Sequence, residues 1–335
     1  MKKLMMVSWA LLAAHFSGAQ EKKQYEVKNF KGLVSIQAPA SGLVIQGHAG
    51  TSVIIEAEGG EGKVPEKAKG LSMVTAGGVD NTGMGATVEE ETAKVVTSIN
   101  EKGEETEEEI RVLSISIPGT NKLFKNYVVK IPNGLSTRFR EGSGNSWAKK
   151  EVFKIQSLKG ELDVNCTNCD LEISDFSGNI VANNSTYGAT TRIEFTALAQ
   201  DKITSVNTQG EIEVILPASS KANLRLNSLR GNVFTDFDLK KAVTVHRKDS
   251  SGVITVVGEP AVIRGVGSAW EGEFVVRSGS LSISPGSRRL GDRLALASVS
   301  AAQKRNINRY DYTINEGGVY VSITTSDGNL YLKKK

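Results

Sequence analysis

The chain has 335 residues, of which 41 are Lys or Arg and 37 are Asp or Glu, so its formal net charge is +4. This near balance lacks the basic excess of a nucleic-acid-binding protein. Glycine is common at 34 residues, whereas proline (7) and aromatic residues (6%) are scarce, as in proteins of many short strands joined by glycine turns. The composition therefore favours an all-β protein and predicts no nucleic-acid partner.

The first residues have the pattern of an export signal. Lys2 and Lys3 precede an apolar stretch from Leu4 to Phe16, and small residues at 17–19 precede Gln20. This order predicts a cleavable signal peptide at residues 1–19. The apolar stretch is shorter than the roughly 18 to 20 residues of a membrane span. We therefore expect an exported protein, periplasmic, at the cell surface or secreted, with no transmembrane segment after signal removal.

Residues 20–145 are predicted to form a less regular N-terminal β region. Apolar residues alternate with polar ones in LVSIQA at 33–38 and again in the stretches at 112–117 and 127–131. The acidic stretch at 101–109 is interpreted as a solvated hairpin tip. Glycine and serine at 142–146 predict the boundary with a second region, residues 146–335.

The second region repeats a template in which apolar residues occupy the second and fourth positions after a glycine. The template begins at Gly160, Gly178, Gly210, Gly231, Gly252, Gly279 and Gly328. Because strand side chains alternate between faces, the apolar pair is predicted to face a core and the residue between them to face outward. The outward set is Asp163, Val181, Glu213, Phe234, Thr255, Ser282 and Tyr331.

The glycine spacings predict stacked rungs. Gly160 to Gly178 spans 18 residues, and Gly210 to Gly231 and Gly231 to Gly252 span 21 each, which suits one turn of a β-solenoid. Each rung would cover the apolar face of its neighbour, so the ends need caps. The last strand, with Leu330, Leu332 and the lysines at 333–335, is predicted to end the stack.

Two long stretches carry a family resemblance. They are 206–239, with Gly-acid-Ile, Leu-Pro-Ala and Gly-Asn-Val elements, and 312–334, with a double-glycine strand before Gly-Asn-Leu-Tyr. Together with Asp80-Asn-Thr-Gly83, they resemble a bacterial β-strand-repeat domain family of unknown function, labelled putative adhesin. The resemblance covers most of the chain after residue 19 but departs from the pattern at 261–309. It implies a single-stranded right-handed β-solenoid and no site residues.

Cys166 and Cys169 form Cys-Thr-Asn-Cys. In an oxidising compartment they are predicted to close a short disulfide, and free or buried thiols are the alternative. A redox motif would require a helix after the first cysteine, whereas strand-like residues follow Cys169. A metal site would need two more ligands, and His48 and His246 have no ligand-like spacing, so we predict no metal or cofactor.

A carbohydrate-active β-helix enzyme, a polysaccharide lyase or hydrolase, is the catalytic alternative. It would use paired carboxylates, and the candidate pairs are Asp163 with Asp170, Glu211 with Glu213, and Asp236 with Asp238. Since acids do not recur at the outward position from rung to rung, we predict that the protein is not an enzyme.

Four aromatic residues admit two interpretations. Phe195, Phe234, Phe237 and Tyr331 either pack into the protein or form a docking surface for a glycan or protein.

The sequence thus predicts a non-enzymatic exported cell-envelope protein that presents a β-solenoid surface for binding or adhesion. An envelope scaffold or signalling partner is a further alternative. The ligand and the oligomeric state stay open.

Overall fold

The computed structural model describes residues 22–59, 66–68, 71, 73–75, 78–99, 105–119, 124–142, 151–199, 203–241 and 309–335. The predicted signal peptide, the repeats at Gly252 and Gly279, His246 and most of the 261–309 stretch lie outside the described residues. So do residues 143–150, which contain the predicted boundary between residues 145 and 146.

The described chain is almost entirely β, which confirms the all-β prediction. One three-residue 3-10 turn at Glu66–Ala68 is its helical element. The strands are β1 Lys23–Val27, β2 Leu33–Ala38, β3 Leu43–His48, β4 Val53–Glu58, β5 Val74–Thr75, β6 Gly78–Val79, β7 Thr87–Ile99, β8 Glu105–Ser116, β9 Asn126–Pro132, β10 Ser136–Glu141, β11 Glu151–Gln156, β12 Lys159–Cys166, β13 Cys169–Asn184, β14 Thr190–Leu198, β15 Thr204–Thr208, β16 Glu211–Leu216, β17 Ala222–Ser228, β18 Val233–Thr235, β19 Lys240–Lys241, β20 Arg309–Ile314, β21 Val319–Thr325 and β22 Leu330–Lys334. All but β5 and β6 join one curled sheet.

Most of this sheet consists of two columns of parallel strands. Column A runs in the order β8, β2, β10, β12, the second half of β13, β15, β21 and β17. Column B runs in the order β9, β3, β11, the first half of β13, β14, β16, β22 and β18. The chain alternates between the columns, so that two strands and their turns make one rung.

The rungs are not stacked in sequence order at the C-terminal end. β21 lies between β15 and β17 in column A, and β22 lies between β16 and β18 in column B. The prediction that Leu330, Leu332 and the terminal lysines end the stack is therefore wrong. The last rung of the sequence is inserted between two earlier ones, so both of its edges are paired.

Antiparallel strands close three of the four column ends. β4 pairs with β9 and is followed by β1 at one end of column B, and β7 pairs with β8 at the corresponding end of column A. β20 pairs with β17 at the other end of column A, where β19 joins it. At the fourth end, β18 pairs with β22 over three residues.

The two columns enclose one hydrophobic core. Phe139 of column A contacts Phe153 of column B, with ring centroids 4.2 Å apart, and Phe176 meets Phe195 edge to face at 5.4 Å. The inward pairs predicted after Gly160, Gly178, Gly210 and Gly328 are buried, which confirms their predicted direction. Each buried Val, Leu, Ile or Phe side chain stabilises the folded state by roughly 1.5 to 3 kcal/mol relative to an exposed one. After Gly231 the prediction is wrong for Thr235, which is exposed, while Val233 is half-buried.

The glycine template serves two different corners. Gly160 and Gly178 precede column A strands and stack on each other, whereas Gly210, Gly328 and Gly231 precede column B strands and stack in that order. A Cβ at Gly178 would overlap the carbonyl oxygen of Gly160, and the φ of Gly178 is +146°. Both corners demand glycine because successive rungs approach each other too closely for a side chain.

The turns from column A to column B are held by a ladder of inward polar residues. Cys166, Asn184, Thr208, Thr325 and Ser228 occupy equivalent positions at the ends of successive strands. Asn184 Nδ2 donates to the carbonyl of Cys169 at 3.1 Å, and Thr325 Oγ1 donates to that of Gly210 at 2.5 Å. These bonds satisfy turn carbonyls that would otherwise be buried without a partner.

Candidate binding surface

The outward positions of the two columns form two separate rows. Row A, on column A, consists of Arg138, Asp163, Val181, Ser205, Ser322 and Arg225. Row B, on column B, consists of Lys154, Glu172, Arg192, Glu213, Tyr331 and Phe234. The single outward line predicted from the template is therefore wrong. Asp163 and Val181 belong to row A, while Glu213, Tyr331 and Phe234 belong to row B, because the same template precedes strands of both columns.

Row B begins as a ladder of alternating charges. Lys154 lies 3.9 Å from Glu172, and Arg192 lies 3.6 Å from Glu213. Glu213 Oε1 also accepts a hydrogen bond from Lys333 Nζ at 2.7 Å. These side chains are partly exposed, so each pair contributes below about 1 kcal/mol to stability. Their effect is to hold long side chains in a regular, solvated array.

Row B ends in a stacked aromatic pair. The rings of Phe234 and Tyr331 lie 5.3 Å apart with planes 14° from parallel, and Phe234 is 48% exposed. Lys333 Nζ lies 5.7 Å from the Tyr331 ring centroid, and Asn329 Nδ2 donates to the Tyr331 hydroxyl at 3.2 Å. Because Phe234 stands on β18, at the end of column B, the aromatic pair lies at the rim of the sheet.

The other two aromatic candidates are not on this surface. Phe195 is completely buried against Phe176, and Phe237 is 7% exposed and joins the core. Their interpretation as packing residues is therefore the correct one, whereas Phe234 and Tyr331 face outward. Phe195 continues the inward alternation of Thr191 and Ile193 on β14, whereas Phe237 follows the end of β18, where alternation makes no prediction.

The candidate carboxylates do not gather in one place. Asp163 is buried and pairs through Oδ2 with Arg140 and Arg138, whereas Asp170, on the other column, accepts a hydrogen bond from the Thr190 amide at 2.7 Å. Asp236 accepts a hydrogen bond from the Lys334 amide at 2.8 Å. Glu211 and Glu213 lie two residues apart on β16.

The two cysteines are buried, free thiols in the structure, and the predicted disulfide stays a prediction. A hydrogen bond with Cys169, burial and the nearby charges of Cys169 and Glu141 raise the pKa of Cys166 far above its ordinary value. Glu141 was not identified from the sequence, because it lies 25 positions before Cys166 and reaches it only through the β10–β12 pairing.

His48 is a turn residue. Its Nδ1 accepts a hydrogen bond from the Gly50 amide at 3.1 Å, and Nε2 lies 2.8 Å from the Ser52 carbonyl oxygen. Both ring nitrogens thus bridge the turn between β3 and β4.

The described residues contain no helix with the length and apolar character that a membrane span requires.

Comparison with known proteins places the chain in no family. No protein-family model matches it, and no curated protein matches it. A crystal structure of a putative cell adhesion protein from Clostridium sporogenes aligns with 94% of this chain and 100% of its own, at a TM-score of 0.34 and 12% identity. A similarity of this size carries no argument, so the family resemblance seen in the sequence stays a prediction.

Proposed function

We propose that the protein is an exported, non-enzymatic binding protein of the cell envelope, and that row B is its binding surface for a glycan. The observation that carries the proposal is the stacked pair of Phe234 and Tyr331 at the rim of the sheet, with Phe234 half exposed. An exposed large aromatic side chain loses apolar hydration when a ligand covers it.

A glycan fits this surface better than a protein partner. Pyranose rings present a face of C–H bonds that packs on an aromatic ring, and their hydroxyl groups need nearby donors and acceptors. Around the pair, Lys333 supplies donors, Glu213 supplies acceptors and Asn329 supplies both. A protein interface would call for an apolar patch with several anchors, whereas row B offers one aromatic platform beside a ladder of charges.

The β-solenoid predicted from the sequence is part of this proposal. Its support is the parallel pairing of two columns around one core, with the chain passing from one column to the other in each rung. The right-handed sense is an expectation from the family resemblance. Such a stack would present row B as a rigid array with one rung every 4.7 to 4.9 Å or so.

The test is glycan-array binding by the chain from residue 20 onward, followed by affinity measurements on a glycan that binds. We expect Phe234→Ala to weaken binding about tenfold, in line with the loss of roughly 1.4 kcal/mol of stacking and burial. Phe234→Tyr should preserve binding because it keeps the ring. Tyr187→Ala is the matched control, since Tyr187 is 74% exposed in the turn before β14, three strands along column B from Phe234.

Two results would contradict the proposal. One is an array on which no glycan binds, and the other is binding that Phe234→Ala leaves unchanged. Turnover of a bound polysaccharide that Asp236→Asn abolishes would support the carbohydrate-active enzyme instead.

A further inference from the structure

Three metal-binding side chains meet at one corner of column A. Glu141 ends β10, Cys166 ends β12 and Cys169 begins β13. The β10–β12 register pairs Arg140 with Asn165, which places Glu141 beside Cys166. One carboxylate oxygen and the two sulfur atoms all lie within 4.8 Å of one another. The corner thus joins residues that are 25 positions apart in the sequence.

The turn between the cysteines orients this carboxylate. Glu141 Oε2 accepts hydrogen bonds from the Thr167 amide at 2.5 Å, the Thr167 hydroxyl at 3.0 Å and the Asn168 amide at 2.8 Å. All three donors bind the same oxygen, so among the described groups Oε1 is left for a ligand. Hydrogen bonds of this kind fix a ligating side chain before the cation arrives.

The cysteines are also fixed by hydrogen bonds to their backbone. The Cys169 amide donates to Thr186 Oγ1 at 3.1 Å, and its carbonyl accepts from Asn184 Nδ2 at 3.1 Å. Ser185 Oγ donates to the Cys166 carbonyl at 3.2 Å. The turn that holds the two sulfur atoms is therefore tied to the next rung.

We propose that Cys166, Cys169 and Glu141 form a binding site for a thiophilic divalent cation, with zinc as the representative ion. Zinc binds sulfur at about 2.3 Å and carboxylate oxygen at about 2.0 to 2.2 Å. Tetrahedral ligands are then roughly 3.3 to 3.8 Å apart. The ligand atoms observed here, which lie within 4.8 Å of one another, need to approach by at most about 1 to 1.5 Å to reach that geometry.

The donor set decides the class of cation. Two sulfur ligands select zinc and similar ions over magnesium and calcium, which prefer oxygen ligands. On binding, each thiol passes its proton to water and the cation takes up the sulfur lone pairs. Three protein ligands leave a fourth position for water. The half-buried Glu141 and the exposed Thr167 place the site at the surface end of the corner.

The zinc site and the predicted disulfide are mutually exclusive, because a disulfide uses the same two sulfur atoms. A count of free thiols in denatured protein, taken directly after isolation from cells, distinguishes them. Two free thiols per chain are expected. A result of none, restored to two by a reductant, would overturn the proposal, since the ligands would then be absent in the native protein.

The binding experiment uses the reduced chain from residue 20 onward with Zn²⁺ alone, and Co²⁺ as a spectroscopic probe. We expect one Zn²⁺ per chain after dialysis, and a sulfur-to-cobalt charge-transfer band in the near ultraviolet. Cys166→Ser and Cys169→Ser should each abolish the band. Zinc that fails to bind, or binding that both serine variants leave intact, would contradict the site.

Glu141→Gln keeps the experiment decisive if a serine variant does not fold. Its amide oxygen still accepts from the Thr167 and Asn168 donors, so the turn is preserved while the charged ligand is lost. We expect zinc affinity to fall by about tenfold or more. Glu26→Gln, at an exposed position of β1, is the matched control and should bind zinc as the unaltered chain does. Equal zinc affinities for the two variants would show that Glu141 is not a ligand.

Discussion

The outward faces of the two columns differ although one strand pattern builds both. In the middle of row A the side chains are short and buried: Ser205 is completely inaccessible and Asp163 is 1% exposed, whereas Arg138 at one end is partly exposed. Row B carries long, charged or aromatic side chains that reach solvent. Apart from the polar ladder at the turns and a few buried threonines, the inward positions are apolar in both columns, because both face the same core. Core packing therefore constrains the inward side chains of every strand, whereas the outward side chains depend on whether that face of the sheet is covered or open to solvent.

Replacing a corner glycine should destabilise the protein in either column. If so, the two columns differ only in their outward faces. We expect Gly178→Ala to destabilise the protein by about 3 kcal/mol, because the methyl group overlaps the Gly160 carbonyl and φ is +146°. Gly210→Ala, where a Cβ would overlap the Ala189 carbonyl, should cost about 2 kcal/mol. The measurement is the free energy of unfolding in urea.

Gly134→Ala is the control for these glycine variants. Its φ is +92°, but a Cβ there would have no atom within 4 Å. The expected loss is about 1 kcal/mol, from backbone strain alone. If Gly178→Ala were no worse than this control, close stacking of the rungs would not be what requires glycine.

Removing an ion pair should cost more stability in row A than in row B. Asp163→Ala in row A should cost about 2 kcal/mol, because it removes a buried carboxylate from Arg138 and Arg140, which are themselves partly solvated. Glu213→Ala in row B should cost below about 1 kcal/mol, and high salt should remove most of that cost. Urea unfolding at low and high salt measures both. Equal, salt-sensitive losses would mean that row A is as solvated as row B.

The sequence was sufficient for the local features of this fold. Alternation around Leu162 and Val164 correctly predicted which side chains are inward, because burial of one face imposes a period of two. It could not assign strands to columns, since Gly178 and Gly210 open strands of different columns for the same steric reason. Nor could it predict that β21 lies between β15 and β17. Any strand with the right length and apolar face can occupy that position.

The candidate sites were less accessible to sequence reasoning for a related reason. The aromatic pair joins Phe234 to Tyr331, and the cation site joins Glu141 to Cys166, through parallel pairing of distant segments. Neither pair has a local spacing that marks it. The Cys-Thr-Asn-Cys motif was visible, but its carboxylate partner depends on the register between β10 and β12.

The smallest effect is expected where β4 extends row B beyond column B. Glu56 pairs with Lys130 at 2.8 Å and Lys22 at 3.1 Å. Burial alone would raise the pKa of Glu56, but the hydrogen bonds from Lys130 and Lys22 outweigh it and lower this pKa below its usual 4.5. A carboxyl group with a lowered pKa stabilises the folded state above the unfolded pKa, and this contribution is lost as pH falls through the folded pKa.

Glu56→Gln should therefore reduce the free energy of unfolding by below about 1 kcal/mol near neutral pH. The difference from the unaltered chain should shrink as the pH falls below 4.5 and both forms of the site become neutral. Urea unfolding over a pH series measures it, with Glu26→Gln, on the exposed part of β1, as the control. A difference that stays constant with pH would show that Glu56 acts by packing rather than by charge. The solvated character assigned to row B would then not extend to this end of the sheet.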